Sequence, residues 1–298
     1  MKLAVHPEVA AALAARGAVV ALESTVIAHG LPRPQNLAAA RAVEAEVRGL
    51  GSTPATIAIA DGQAVVGADD ALLARIAEDP AALKVSLRDL APVMARRGLG
   101  ATTVAATVEI AARAGIAVMA TGGIGGVHRG AERSLDESAD LGAIARHPVC
   151  VVCAGAKLVL DLALTLERLE TLGVPVVGYG TDEFPAFYVR SSGLPLAYRV
   201  DDALTAARVV REQIARGAGI VIAVPIDAGD ALDPQDAEAE VARALESAET
   251  RRIRGAALTP FLLGQLSDAT GGRTLAANVS LLRANARVAA QIALALAL

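Results

Sequence analysis

Short β-rich runs of Val, Ile, Leu and Ala alternate along this chain with longer alanine-rich stretches, and that alternation limits the folds open to it. Ala18–Leu22, Ala55–Ala60, Ile116–Ala120, Val149–Cys153, Val174–Gly178 and Gly219–Val224 read as strands. Between them, Pro34–Leu50, Thr102–Ala114, Lys157–Leu172 and Asp202–Arg216 read as helices. Pro34 suits a first helical position, and Gly49 with Gly51 suits a stop. The pattern predicts an α/β fold with a central, largely parallel sheet and helices on both faces. From about Pro234 onward the chain reads as helical, with "DATGGRT" as its one clear break. No linker, repeat or shift of composition marks a second domain, so residues 1–298 are expected to form one.

Such a chain is long enough to bury a large core. Hydrophobic residues make up 54% and aromatics only 2%, so that core must be built from Val, Ile, Leu and Ala. The net charge of −4 is spread out, and the basic runs are as short as "RRIR" (Arg251 to Arg254). This argues against a nucleic-acid surface but leaves room for a small phosphate. No run of about 18 apolar residues suggests a membrane span. "MKLAVHPEVAAALAARG" lacks a signal-peptide pattern, so a cytoplasmic protein is expected. Cys150 and Cys153 have CxxC spacing inside a strand-like run, where residues three apart point to opposite faces. No second pair completes a metal site, so they read as buried small residues.

Ligands of open α/β sheets sit beyond the carboxyl ends of the strands. Here those ends carry Glu23-Ser24-Thr25, Asp61, Thr121-Gly122-Gly123, Ala154-Gly155-Ala156-Lys157 and Thr181-Asp182. Lys157 is one of three lysines, with Lys2 and Lys84, beside 25 arginines among the 28 basic residues. A lysine can lose its proton and attack a carbonyl carbon, whereas a guanidinium stays charged. A Schiff base is therefore the chemical reading of Lys157, against a plain role at an element's edge. Lys84 precedes Ser86 and Asp89, a pattern that can start a helix capped by Ser86; it reads as a solvated lysine or as a phosphate or sugar contact. The glycines at 122, 123, 125 and 126 give no dinucleotide fingerprint, and serve equally as a turn or as an anion cradle beside His128 and Arg129. Asp136, Glu137 and Asp140 form an acidic cluster, either a solvated helix start or a set of hard oxygen ligands. His29 lies near Glu23 in sequence, while His6 and His147 read as surface or loop residues.

Together, "VVALESTVIAHGLPRPQN", "PATIAIADG", "KVSLRDL", "GATTVAAT", "ATGGIGGVHRGAE", "SADL", "VCAGAKLVLD", "GVPVVGYGTDEFPAFY" and "TPFLL" resemble the pseudouridine-5′-phosphate glycosidases, the indigoidine synthase A-like family, in order over nearly the whole chain. The resemblance implies an α/β/α sandwich with a mixed central sheet, assembled as a homotrimer. It implies a metal-dependent enzyme, with one Mn²⁺ per subunit, that reversibly splits pseudouridine 5′-phosphate into uracil and ribose 5-phosphate. Its Schiff-base lysine falls on Lys157 and its proton-donating glutamate on Glu23. Substrate contacts fall on Lys84, Val104, Thr121, His128, Ser138, Ala139, Asp140 and Asn278, and the metal ligand on Asp136. One departure is Ala284, where relatives often carry the first of two asparagines; Asn285 keeps the second.

The residues themselves also allow an aldolase-like Schiff-base lyase acting on another sugar phosphate, which has no need of uracil. A phosphosugar-binding module is the third reading, but it leaves Lys157 and Glu23 without a task.

Overall fold

The β-branched runs form strands because such side chains suit a pleated, buried surface. The computed structural model describes residues 1–253, 255 and 258–298, with only the backbone of 259 and 260; Arg254 of the basic run lies outside this set. Its strands are β1 (Leu3–Val5), β2 (Val19–Leu22), β3 (Thr53–Ala60), β4 (Gln63–Val66), β5 (Leu83–Val85), β6 (Gly100–Thr102), β7 (Val118–Ala120), β8 (Val127–His128), β9 (Cys150–Cys153), β10 (Leu160–Asp161), β11 (Val176–Tyr179), β12 (Tyr198–Val200) and β13 (Ile220–Ala223). Its helices are α1 (Pro7–Ala14), α2 (Gln35–Gly49), α3 (Asp70–Glu78), α4 (Leu90–Ala95), α5 (Val104–Ala114), α6 (Ala131–Ser134), α7 (Ala139–Arg146), α8 (Leu162–Thr171), α9 (Ala203–Ala215), α10 (Pro234–Thr250), α11 (Leu258–Ala269) and α12 (Arg273–Ala297). A π-helical turn, Val26–Gly30, follows β2.

The sheet runs β1-β4-β3-β2-β7-β9-β13-β11-β12, with β6 also on β3 and β5 on β6. All these pairings are parallel except those of β3 with β4 and β6. β3 therefore works in halves. Thr53–Thr56 lie beside β2 in register with Val19–Leu22, and Ile57–Ala60 run between β4 and β6. Ser24 and Thr102 secure the change of partner, each donating its hydroxyl to the Ile57 carbonyl, at 2.6 and 2.7 Å.

Handedness places the helices. The connection β2-α2-β3 steps one way along the sheet, and β7-α7-β9 and β9-α8-β11 step the other way. Right-handed crossovers in opposite directions cover opposite faces. Accordingly α12 lies against β2, β7 and β9 between α2 and α9, while α5 and α7 pack together on the other face. The predicted α/β/α sandwich with a mixed, largely parallel sheet is what forms.

α12 is also the one described helix long and apolar enough to cross a membrane, with mean hydropathy 1.2 over its best window. Sixty-one per cent of that window is buried within the fold, so here the helix serves as core. Thirteen of its residues are buried, among them Asn278 and Asn285.

Some boundaries differ from the sequence reading. Lys157 does not open a helix: α8 begins at Leu162, where the Asp161 carboxylate accepts from the Leu164 amide at 2.9 Å. Asp161 is the better cap, and residues 157–161 are drawn instead into a turn and the β10–β8 pairing. The short strands β5 and β8 have no apolar run of their own and are absent from the sequence reading. His147 is neither loose nor exposed, since its ring bridges Glu109 on α5, at 2.7 Å, and the Ala143 carbonyl, at 2.8 Å.

Candidate active site

Past the ends of β7 and β9 the chain does not separate. The Ala154 amide donates to Gly122 at 2.9 Å, Ile124 to Gly155 at 3.1 Å, and Lys157 to Ile124 at 3.1 Å. These bonds continue the parallel pairing as two interlocked loops, and so fix the backbone of Lys157 against the glycine loop. Glycine is required for this. A Cβ at Gly155, whose φ is +77°, would meet the Pro185 carbonyl oxygen at 2.0 Å, and one at Gly125 would meet Ser138 Oγ at 2.3 Å. On the far side, Leu160 of β10 pairs with His128 of β8.

The carboxylates of this rim have separate tasks. Asp140, buried in the first turn of α7, accepts from the Ala105 amide and the Gly125 amide, both at 2.8 Å. It thereby joins the N-termini of α5 and α7 to the glycine loop. Ser138 caps α7, its hydroxyl accepting from the Asp140 amide at 3.2 Å, and its amide donates to Gly126. Val104 is the first residue of α5, so positions 104 and 138–140 bring two helix N-termini to one place, where backbone N–H groups favour an anion. Glu137 is held by Arg168 at 2.6 Å. Among the described residues, no side-chain hydrogen bond reaches the Asp136 carboxylate. The sequence cluster of three acids therefore leaves one free carboxylate, not three.

Glu23 is held differently. It is 9% exposed, and its two oxygens accept from the hydroxyls of Thr25 and Thr121. A hydroxyl can donate to a carboxylate or accept from a carboxylic acid. Glu23 can thus gain and lose a proton without losing its supports, unlike Glu137 against an arginine. Thr25 was not singled out by the sequence reading, although it stands two residues from Glu23.

Lys84 sits in β5 within range of the charges of Lys157, Asp140, Glu23 and Asp89. Burial, and then the neighbouring Lys157 ammonium, hold Lys84 below the ordinary lysine range. His128 feels Asp136, Lys84 and Lys157, and burial keeps its imidazole below the usual value. Burial and the Lys84 charge also lower His29, which brings that histidine to the same rim. The fold thus gathers Glu23, Lys84, His128, Asp136, Asp140 and Lys157 at one end of the sheet, with the anion-favouring helix ends on the α5–α7 face.

The α12 face supplies the other wall. Asn278 is buried, its side-chain amide 3.5 Å from the Tyr188 hydroxyl. The rings of Phe187, with φ of +62°, and Tyr188 meet at a tilt of 52°, their centroids 4.4 Å apart, and Phe187 lies beneath the glycine loop. A cavity of about 20 Å³ opens beside Glu23 and Thr121, its lining otherwise mostly apolar, with Leu22, Val26, Ile27 and Leu282.

No group of three or more His, Cys, Asp or Glu side chains forms a metal cage among the described residues. What is present, one carboxylate free of side-chain partners at the same rim as the two helix N-termini, fits a hard divalent cation that keeps most of its waters.

The model of the indigoidine synthase A like protein family matches residues 8–295. A pseudouridine-5′-phosphate glycosidase of Myxococcus xanthus is 52% identical, covering 100% of this chain and 99% of its own. One from Herpetosiphon aurantiacus is 54% identical over 99% and 98%. Among solved structures, the prealnumycin C-glycosynthase AlnA in complex with ribulose 5-phosphate superposes with a TM-score of 0.92 at 45% identity, covering 100% of this chain and 97% of that one. An indigoidine synthase A-like protein of Thermotoga maritima does so with a TM-score of 0.90 at 33% identity, over 100% and 97%. With the fold, the loop-held lysine and these full-length likenesses in agreement, the chain belongs to the indigoidine synthase A-like family.

Proposed function

We propose that this protein reversibly cleaves the C–C glycosidic bond of pseudouridine 5′-phosphate, giving uracil and ribose 5-phosphate through a Schiff base on Lys157. The observation that carries this reading is a lysine whose backbone is fixed to the glycine loop, at the same rim as a carboxyl group that, among the described residues, is held by hydroxyls. Relatives about half identical over their full length bear the glycosidase name, and AlnA, a C-glycosynthase, binds a pentose 5-phosphate.

The bond to be broken joins ribose C1′ to uracil C5, so the base has no heteroatom to leave on. The Lys157 amine forms a bond to C1′ as the C1′–O4′ bond breaks, and its proton passes to O4′. Glu23 then delivers a proton to C5. The nitrogen lone pair forms the C=N bond, and the C1′–C5 pair returns to the base as its C5=C6 double bond, releasing uracil. Water adds to the iminium and restores the amine and the ribose 5-phosphate aldehyde. The phosphosugar lies against Lys84, Val104, Ser138, Ala139 and Asp140, its phosphate toward Lys84 and the helix N-termini, with His128 beside the sugar. Thr121 holds Glu23, and Asn278 faces the base.

A divalent cation, Mn²⁺ by family resemblance, would be held through Asp136 and would offset phosphate charge while ordering water. A homotrimer is proposed on the same resemblance, and light scattering of the purified protein would give the mass of three chains.

Loss of uracil absorbance when uracil and ribose 5-phosphate are mixed with the protein, with and without Mn²⁺, tests the reaction directly. Uracil-dependent turnover separates it from an aldolase-like lyase. Binding of ribose 5-phosphate with no turnover under either condition would leave only a binding module.

A further inference from the structure

Asn285 lies about two helical turns along α12 from Asn278 and is 1% exposed. Its side-chain amide donates to the Thr121 carbonyl at 2.7 Å and the Gly122 carbonyl at 3.2 Å. Its own carbonyl oxygen is buried without a hydrogen-bond partner among the described residues. For stability alone this is a poor choice, because a buried acceptor left unsatisfied costs free energy that an apolar side chain would not.

The segment it clasps needs outside support. Thr121 is followed by Gly122 and Gly123, which have no side chains to anchor them and wide backbone freedom. Thr121 donates its amide to Val152 at 3.0 Å and its hydroxyl to Glu23. Without the clasp on its carbonyl, nothing from the α12 face fixes the orientation of that hydroxyl. We infer that Asn285 is a positioning residue for proton transfer: by fixing the carbonyls of Thr121 and Gly122, it sets the Thr121 hydroxyl that holds Glu23. This rests on the function proposed above and adds to it a residue that touches neither substrate nor Glu23.

The test is a double-mutant cycle of Asn285→Ser and Thr121→Val, scored by uracil release and by borohydride trapping of ribose 5-phosphate on Lys157. Asn285→Ser should lower kcat for C–C cleavage by about 10- to 100-fold, the scale of a slight misplacement. The sugar adduct on Lys157 should form as in the unaltered chain, because Glu23 acts only at the base. In the Thr121→Val background the same change should cost less than about threefold, since the path it acts through is already gone.

Asn285→Asp, equal in size, guards against misfolding of the smaller variant. Its carboxyl can donate only while protonated, so its kcat relative to the unaltered chain should rise as pH falls. Losses that multiply in the double variant, an adduct lost along with cleavage, or a pH-independent Asn285→Asp defect would each overturn the role of Asn285. An unaltered chain that does not turn over pseudouridine 5′-phosphate would remove the proposed function, and this role with it.

Discussion

Lys157 could be singled out from the sequence because few groups can replace an amine that forms an imine, whereas Glu23, one of several acids at strand ends, was picked out by the family resemblance. Their supports were not legible in the same way. Thr25 matters only because the π-helical turn after β2 brings its hydroxyl back to Glu23, and no spacing rule encodes that contact. Asn285 was visible only as the partner of the departure at Ala284, since its clasp on the loop after β7 spans 164 positions. The assignment of Glu23 can be tested separately from that of Lys157. Glu23→Gln keeps the size and the two threonine contacts but cannot deliver a proton to C5. Its kcat for uracil release should fall by about 10²–10⁴-fold, the usual range for general acid–base catalysis, while its affinity for ribose 5-phosphate is unchanged. An unchanged kcat would move the proton-transfer role to another group.

At the scale of elements, the alternation of strand and helix was readable, and the loop geometry was not. Lys157–Leu172 reads as one helix in the sequence, yet Asp161 captures the helix start. The shortest strands were missed because they are defined by partners far along the chain, as β8 is by β10. The interlocked loops after β7 and β9 depend on Gly155, at φ +77° and within 2.0 Å of a backbone carbonyl once a Cβ is added. Neither the Pro185 backbone nor the conformation can yield cheaply. Gly155→Ala should therefore destabilise the protein by at least about 2 kcal/mol, read from the urea midpoint, because strained backbone alone costs about 1–3 kcal/mol. It should also abolish trapping on Lys157 under conditions where the variant is still folded. A variant of full stability and activity would show that these loops are not interlocked in solution.

For the whole molecule, the sheet's centre and its rim should respond together. Cys150 and Cys153 lie in β9 between β7 and β13, fully buried at the heart of the core. Burial raises both thiols, that of Cys153 to about 12, so neither is the low-range thiol of a redox pair. A thiol reagent at neutral pH can then reach them only when the sheet opens. Because β9 also delivers Lys157, anything that binds the rim of the folded protein must suppress that opening by the factor 1 + [L]/Kd. Labelling of both cysteines with a maleimide should be slow, equal in rate, and slowed alike by ribose 5-phosphate, by about 100-fold when the ligand is at 100 times its dissociation constant. Rapid labelling of one cysteine, unaffected by the ligand, would mean that β9 opens locally, and Lys157 could not then be held by the same sheet that buries them.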